Sequence, residues 1–256
     1  MSEMILQTKG LGKRFGHFAA NAEIDFAVHA GELRAVIGPN GAGKTTFFNL
    51  LSGIALPSDG TITFKGKDIS MAGGPARVRL GIAKAFQTAN IYPDQTVGQN
   101  VRLAALARVQ GSFALQVFRR SGRLGKVDEI AERALDRVAL GERMHTRAGD
   151  LSHGDKKRLD IAIALATEPE ILLLDEPVAG MSIDESRRTE LLVKKLAAEM
   201  TVLIIEHDME MIMGISDSIT VLHQGRVLAN GTPDEIRASK TVQDAYLGGH
   251  SESEIA

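Results

Sequence analysis

Residues 38 to 45 read GPNGAGKT, directly after the apolar run LRAVI (33–37) and before the helix-like TFFNLLSG. Strand, glycine loop and helix in that order make a cradle for a polyphosphate. Glycines allow the tight turn and let backbone N–H groups approach the anion, and the helix N-terminus adds its positive end. In such a loop Lys44 reaches the β- and γ-phosphates, and the Thr45 hydroxyl holds Mg²⁺. An accidental glycine turn is disfavoured by the strand before it and the helix after it.

A second element is ILLLDE at 171 to 176, a buried strand delivering two carboxylates at its C-terminal end, where open α/β sheets place their ligands. Asp175 would hold Mg²⁺ directly or through water. Glu176, facing the other way from the strand end, can polarise an attacking water. An apolar run ending in acids is a weak signal alone and a strong one beside the glycine loop. The third element is LSHGDKKRLDIAIALA at 151 to 166. Ser152, with Gly154 two residues on, offers hydroxyl and backbone donors at a helix N-terminus, again an anion site. Lys156, Lys157 and Arg158 then place cations at the positive end of the helix dipole. Such violations of a local rule tend to mark functional sites.

The elements that must position these residues alternate in type. Strand-like runs occur at 5–8, 33–37, 61–64, 171–174, 201–205 and 219–222, with helical segments between them, which reads as α/β. ILLL and VLII are apolar throughout, as in parallel strands buried on both faces, whereas TITF alternates like a half-exposed antiparallel strand, so a mixed sheet is expected. From about 88 to 165 helical patterns take over, including VRLAALARV from 101 and VDEIAERALDRVAL from 127. The basic stretch RRSGRLGK (119–126) reads as a loop or loop edge, a solvated surface patch in preference to a site near anionic lipid.

The whole chain of 256 residues, 44% hydrophobic and 24% charged, is enough for a real core. Lys+Arg 30 against Asp+Glu 32 excludes a surface built overall to hold nucleic acid. With no cysteine, disulfides, thiolate metal sites and thiol nucleophiles are excluded, and a reducing compartment is compatible. No apolar stretch approaches the ~20 residues that span a bilayer, and MSEMILQTKG lacks a signal-peptide layout.

GPNGAGKT, LSHGD, LLLDEP and the EHD at 206 to 208 together, in this order and over nearly the whole chain, resemble the ATP-binding subunit of ABC transporters. The resemblance implies an α/β P-loop NTPase (RecA-like) mixed-sheet core with an N-terminal antiparallel β subdomain and an inserted helical subdomain. It implies one nucleotide-binding domain over 1–256, with the core at 1–87 and 166–256 and the helical subdomain at 88–165. Gly38, Pro39, Asn40, Gly41, Ala42, Gly43, Lys44, Thr45 and Thr46 would hold ATP, with Thr45, Gln87 and Asp175 on Mg²⁺. Glu176 is then the base, His207 the switch histidine on the γ-phosphate, and Gln87 the glutamine that touches Mg²⁺ or the attacking water and senses the membrane partner. Phe15 matches the aromatic that stacks on adenine, with Phe18 as its rival. Residues 151–155 match the signature motif, LSHGD where LSGGQ is common; Ser152 and Gly154, which meet the γ-phosphate held by the opposite subunit, are kept, while His153 and Asp155 depart. AGMS (179–182) departs from the common SALD, with Ser182 where Asp is usual.

DEPVAGM, the insert after GQNV, VLHQG, NGTPDEI and AYLG also resemble the branched-chain amino acid importer branch, with features like the urea importer ATPases. That resemblance implies ATP hydrolysis coupled to uptake of a small polar solute, by two copies or this chain and a paralogue sandwiching two ATP molecules. Integral permease subunits gripped by the helical insert, and indirectly a periplasmic or extracellular solute-binding protein, complete the implied assembly at the cytoplasmic face of the membrane, with no nucleic acid partner. An organic-acid importer, an exporter or lipid-extraction ATPase, and a soluble ABC ATPase of repair or ribosome partners are the alternatives. A P-loop GTPase is disfavoured because NKxD is absent and LSHGD would be unexplained.

Overall fold

The computed structural model describes residues 3–85, 91–110 and 121–247. In chain order the elements are β1 (Met4–Phe15), β2 (Phe18–His29), β3 (Leu33–Ile37), α1 (Lys44–Ser52), β4 (Asp59–Phe64), β5 (Lys67–Asp68), α2 (Gly74–Leu80), β6 (Ile82–Ala85), α3 (Val97–Gln110), α4 (Ser121–Arg137), α5 (His153–Leu165), β7 (Ile171–Asp175), α6 (Ile183–Ala197), β8 (Thr201–Ile205), α7 (Met209–Ile215), β9 (Ser218–His223), β10 (Arg226–Gly231), α8 (Pro233–Ala238) and α9 (Lys240–Leu247). They group into two compact units, residues 1–77 with 196–256 and residues 78–195, whose boundaries fall within α2 and α6.

In the first unit β2-β1-β4-β5 form an antiparallel sheet, and β10-β9-β3-β8 form a mixed one with β3 parallel to both β8 and β9. The pattern of side chains explains the division. All five residues of β8 are buried, as a parallel strand covered on both faces requires, while β4 is buried only at Ile62 and Phe64. Helix α1 packs its inner face through Phe47 and Phe48; the Phe47 ring meets Phe26 of β2 edge-on at 5.1 Å between centroids. Its C-terminus is closed by Gly53 at φ 75° and by Arg77, whose fully buried guanidinium donates to the carbonyls of Leu50, Leu51, Ile69, Ser70 and Ala72.

In the second unit β6 runs parallel to β7, and all of β7 is buried. Helices α3 and α4 pack on each other and on α5 through Val97, Val101 and Ala105, and through Val127, Ile130, Ala131, Ala134 and Leu135, at the three-and-four spacing of a helical face. The basic stretch is corrected in part: from Ser121 onward it is the start of α4 rather than loop. Strands β2, β6 and β10 carried no clear signal. The sequence of β2, FAANAEIDFAVH, mixes Ala, Asn, Glu and Asp among its buried Ile24, Phe26 and Val28, and pairing with β1 overrides those weak propensities. Among the described residues no helix is long and apolar enough to cross a membrane.

Candidate functional site

The glycine loop leaves β3 and turns into α1 with Gly38 at φ 152°, Gly41 at φ 78° and Gly43 at φ 94°. Two of these positions also admit no side chain: a Cβ on Gly38 would stand 2.1 Å from the Leu222 carbonyl oxygen, and one on Gly43 2.5 Å from that of Ala20. Asn40, Gly41 and Thr45 are exposed, Pro39, Gly43 and Thr46 half-buried, and Ala42 and Lys44 buried. Lys44 Nζ donates to the carbonyls of Gly38 at 2.7 Å and Pro39 at 3.0 Å, so the cation lies against the loop it would complete around phosphate. The first turn of α1 carries no acidic residue to oppose an anion.

Support for this loop comes from residues that sequence reasoning missed. Asn21, fully buried, donates from Nδ2 to the Gly43 carbonyl at 3.2 Å, and the Gly225 N–H donates to Ala42 at 3.1 Å. A lone buried Asn among strand residues offered no signal. In the same unit Phe15 and Phe18 are opposite each other at the β1–β2 turn and are 56% and 66% exposed, so neither is a core residue, and the Lys13 ammonium lies over the Phe15 ring at 5.3 Å from its centroid. His207 is exposed just after β8, and its N–H donates to the carboxylate of buried Glu206 at 3.0 Å.

In the second unit Asp175 ends β7 and is 3% exposed. Its Oδ2 lies 2.9 Å from Lys84 Nζ of β6, and its buried Oδ1 has no hydrogen-bond partner among the described residues. Glu176 follows at φ 52°, a left-handed conformation that takes it out of the strand's alternation and leaves it half-exposed beside the buried Asp175. Its carbonyl accepts from Lys157 Nζ at 2.6 Å and from the Ala179 N–H at 3.3 Å. Lys84 belongs to none of the sequence motifs, although a charge inside a short apolar strand is the kind of local inconsistency that signals a partner.

Ser152 caps α5, accepting from the Asp155 N–H at 3.1 Å. The two departures from the common motif have structural partners. Asp155, 4% exposed, pairs with Arg143 at 2.6 Å and with Arg158, which accounts for one of the cations at this helix start. His153 Nε2 faces the Ala179 carbonyl at 3.4 Å. Gly154 is buried, and a Cβ there would meet Glu185 Oε1 at 2.6 Å. That carboxyl is held below the usual range by the Ser182 N–H, then by the Ser182 hydroxyl, with smaller contributions from Arg188 and Ser152. Ser182, in the place of the usual Asp, therefore serves as a cap for α6 through Glu185, at 2.9 Å from its hydroxyl. Gln87 lies outside the described residues. Each unit thus gathers its own part: Phe15, residues 38–46 and His207 in one, Ser152, Gly154, Asp175 and Glu176 in the other.

The ABC transporter family model matches residues 22–179, and that of the branched-chain amino acid ATP-binding cassette transporter matches 226–252. The chain is 39% identical to the high-affinity branched-chain amino acid transport ATP-binding protein LivG of Salmonella typhimurium, over 97% of this chain and 99% of that protein. It is 40% identical to the corresponding protein BraF of Pseudomonas aeruginosa, again over 97% and 99%. Among solved structures, the ADP conformation of MJ1267, an ATP-binding cassette of an ABC transporter, superposes with a TM-score of 0.82 at 28% identity, over 96% of this chain and all of that one.

Proposed function

Because this chain belongs to the ABC transporter family, we propose that it is the ATP-hydrolysing subunit of an importer for branched-chain or closely related amino acids. The observation that carries the substrate class is the second match, at 226–252, which covers β10, α8 and α9 and lies outside the nucleotide-binding motifs. Near-complete coverage of LivG and BraF supports the same reading.

In this reading residues 38–46 wrap the phosphates, with Lys44 leaving the loop carbonyls for the β- and γ-oxygens, and Phe15 lies on the adenine. A bound Mg²⁺ would supply charge neutralisation of the phosphates. The donors present fit it: the exposed Thr45 hydroxyl and the Asp175 carboxylate oxygen that has no partner among the described residues are hard oxygen ligands of the kind Mg²⁺ takes beside phosphates. Gln87 is assigned to the same ion by resemblance. Glu176 orients and polarises the attacking water, and His207 bonds the γ-phosphate. Ser152 and Gly154 complete the site on a nucleotide held by a second ATP-binding subunit, either another copy or a paralogue.

The helical subdomain, expected from the sequence at 88–165, is assigned in this reading to the permease. Its support is an apolar groove of about 700 Å³ between α3 and α4, lined by Tyr92, Leu103, Leu106 and Val127 and flanked by the Arg102–Asp128 pair. Such an assembly works at the cytoplasmic face of the membrane and receives solute from a binding protein on the other side.

The test is reconstitution of the chain with its permease and solute-binding protein in vesicles, measuring ATP hydrolysis and uptake with leucine, isoleucine, valine or urea. Stimulation and uptake with the amino acids support the assignment. Stimulation by urea alone moves the chain to the urea branch, and solute-independent export overturns import.

A further inference from the structure

Lys157 is 6% exposed, and its ammonium lies 2.6 Å from the carbonyl oxygen of Glu176. A buried ammonium is costly unless it has oxygen partners, and the Glu176 carbonyl is one of those of Lys157, so the contact holds that backbone in place. The backbone in question is unusual: Glu176 takes φ 52°, a conformation that persists in a bulky L-residue only when its surroundings over-determine it. The same carbonyl accepts the Ala179 N–H at 3.3 Å, so Lys157 and the turn 176–179 grip one oxygen together. The Glu176 carbonyl belongs to the peptide plane that leaves this residue, so a grip on it restrains the backbone on which the Glu176 side chain is mounted.

Lys157 also sits on α5, one turn from the helix start that carries Ser152 and Gly154. A second contact joins the same two segments, His153 Nε2 facing the Ala179 carbonyl at 3.4 Å. A rigid helix thus touches, at its first residue and again one turn on, the segment that presents Glu176.

We propose that Lys157 is a positioning residue for Glu176, and that through α5 it ties the orientation of Glu176 to engagement of Ser152 and Gly154. The proposal rests on the reading that Glu176 polarises the attacking water and that the start of α5 meets a nucleotide held by the other subunit. When the helix start is drawn onto that nucleotide, Lys157 carries the displacement to the Glu176 carbonyl.

The experiment measures steady-state ATPase activity of the full-length chain with ATP and Mg²⁺, together with nucleotide affinity and thermal stability. Lys157→Met, which keeps the length and removes the donor, is expected to lower kcat about 100-fold while KM moves less than about twofold. Lys157→Arg, which restores an N–H donor, recovers a substantial part of kcat. Unchanged kcat in Lys157→Met overturns the proposal, as does a loss of kcat accompanied by an equal loss of nucleotide affinity. If Lys157→Met fails to fold, Lys157→Leu, which also lacks a donor, carries the same kcat-against-KM test. The link to the helix start is read from the double variant with Ser152→Ala: a kcat no lower than that of the worse single variant supports transmission through α5, and fully multiplicative losses overturn it. Glu176→Gln separates the two layers. Normal turnover in that variant removes the reading of Glu176 on which the proposal rests, whereas an inactive Glu176→Gln beside a fully active Lys157→Met overturns the positioning role alone.

Discussion

Lys84 Nζ stands 2.9 Å from Oδ2 of Asp175, with the two side chains only 5% and 1% exposed. One oxygen of the carboxylate is neutralised inside the protein, and the other is left without a partner among the described residues. A buried pair of this kind contributes little net attraction after desolvation, but removing one member strands the other charge. Lys84→Met is expected to lower the unfolding free energy by about 3–5 kcal/mol, and adding Asp175→Asn to recover a large part of that loss. Urea denaturation of the single and double variants checks this; a double variant as unstable as the single would show that the charge is not the cause.

Gly38→Ala should weaken nucleotide binding strongly. The new Cβ would stand 2.1 Å from the Leu222 carbonyl, which is backbone and cannot swing aside, and φ 152° is foreign to alanine. The loop must shift, and its N–H groups lose their aim. Titration with a fluorescent ATP analogue is expected to show more than about a tenfold loss of affinity, since even one misdirected donor to a charged group costs about 1.5–3 kcal/mol.

Arg77→Met is expected to destabilise the chain by about 3 kcal/mol or more, because several buried carbonyls, two of them at the end of α1, lose their donor together. Burial pulls the guanidinium pKa down to about 10, so the group remains cationic at any ordinary working pH. In that range the folded and unfolded chains bind the same proton at this site, and the deficit of the variant should be independent of pH between about 6 and 9. Only above about 10 does the folded chain bind fewer protons there than the unfolded one, so that this group's contribution to stability rises with pH. Thermal denaturation across the pH range tests both points.

The Glu185 carboxyl should titrate below its ordinary 4.5, because the Ser182 N–H and hydroxyl favour its charged form. A carboxylate with a depressed folded value stabilises the protein above 4.5 and ceases to do so as the pH falls through the folded value. Carbon-13 NMR titration is expected to show the low value in the parent chain and a partial rise in Ser182→Ala, which removes the hydroxyl and keeps the backbone N–H. An unchanged value would remove the Ser182 hydroxyl as a cause.

The parts legible in the sequence were those whose chemistry is local. GPNGAGKT announces itself because the glycines, lysine and following helix are contiguous, and ILLLD because a strand covered on both faces must be apolar throughout. Strand β2 was not legible, since its polar residues are accommodated only by pairing with β1. The cations at 156–158 read as a breach of the helix-dipole rule, but Lys157 and Arg158 answer to Glu176 and Asp155. Asp155 and Arg143, twelve residues apart, could not be paired by any helical spacing.

The sequence by itself determined the class of chemistry and the order of the elements, because a phosphate loop, its strand and its helix are contiguous in the chain and set by turn and period. Only the tertiary structure decided how the two acids at the end of β7 differ. Asp175 is enclosed and paired to Lys84, while Glu176 is turned out by a left-handed residue held by Lys157. Adjacent carboxylates are chemically alike in a sequence; burial, a charged neighbour and one backbone angle make them different, and each of those comes from segments far away along the chain.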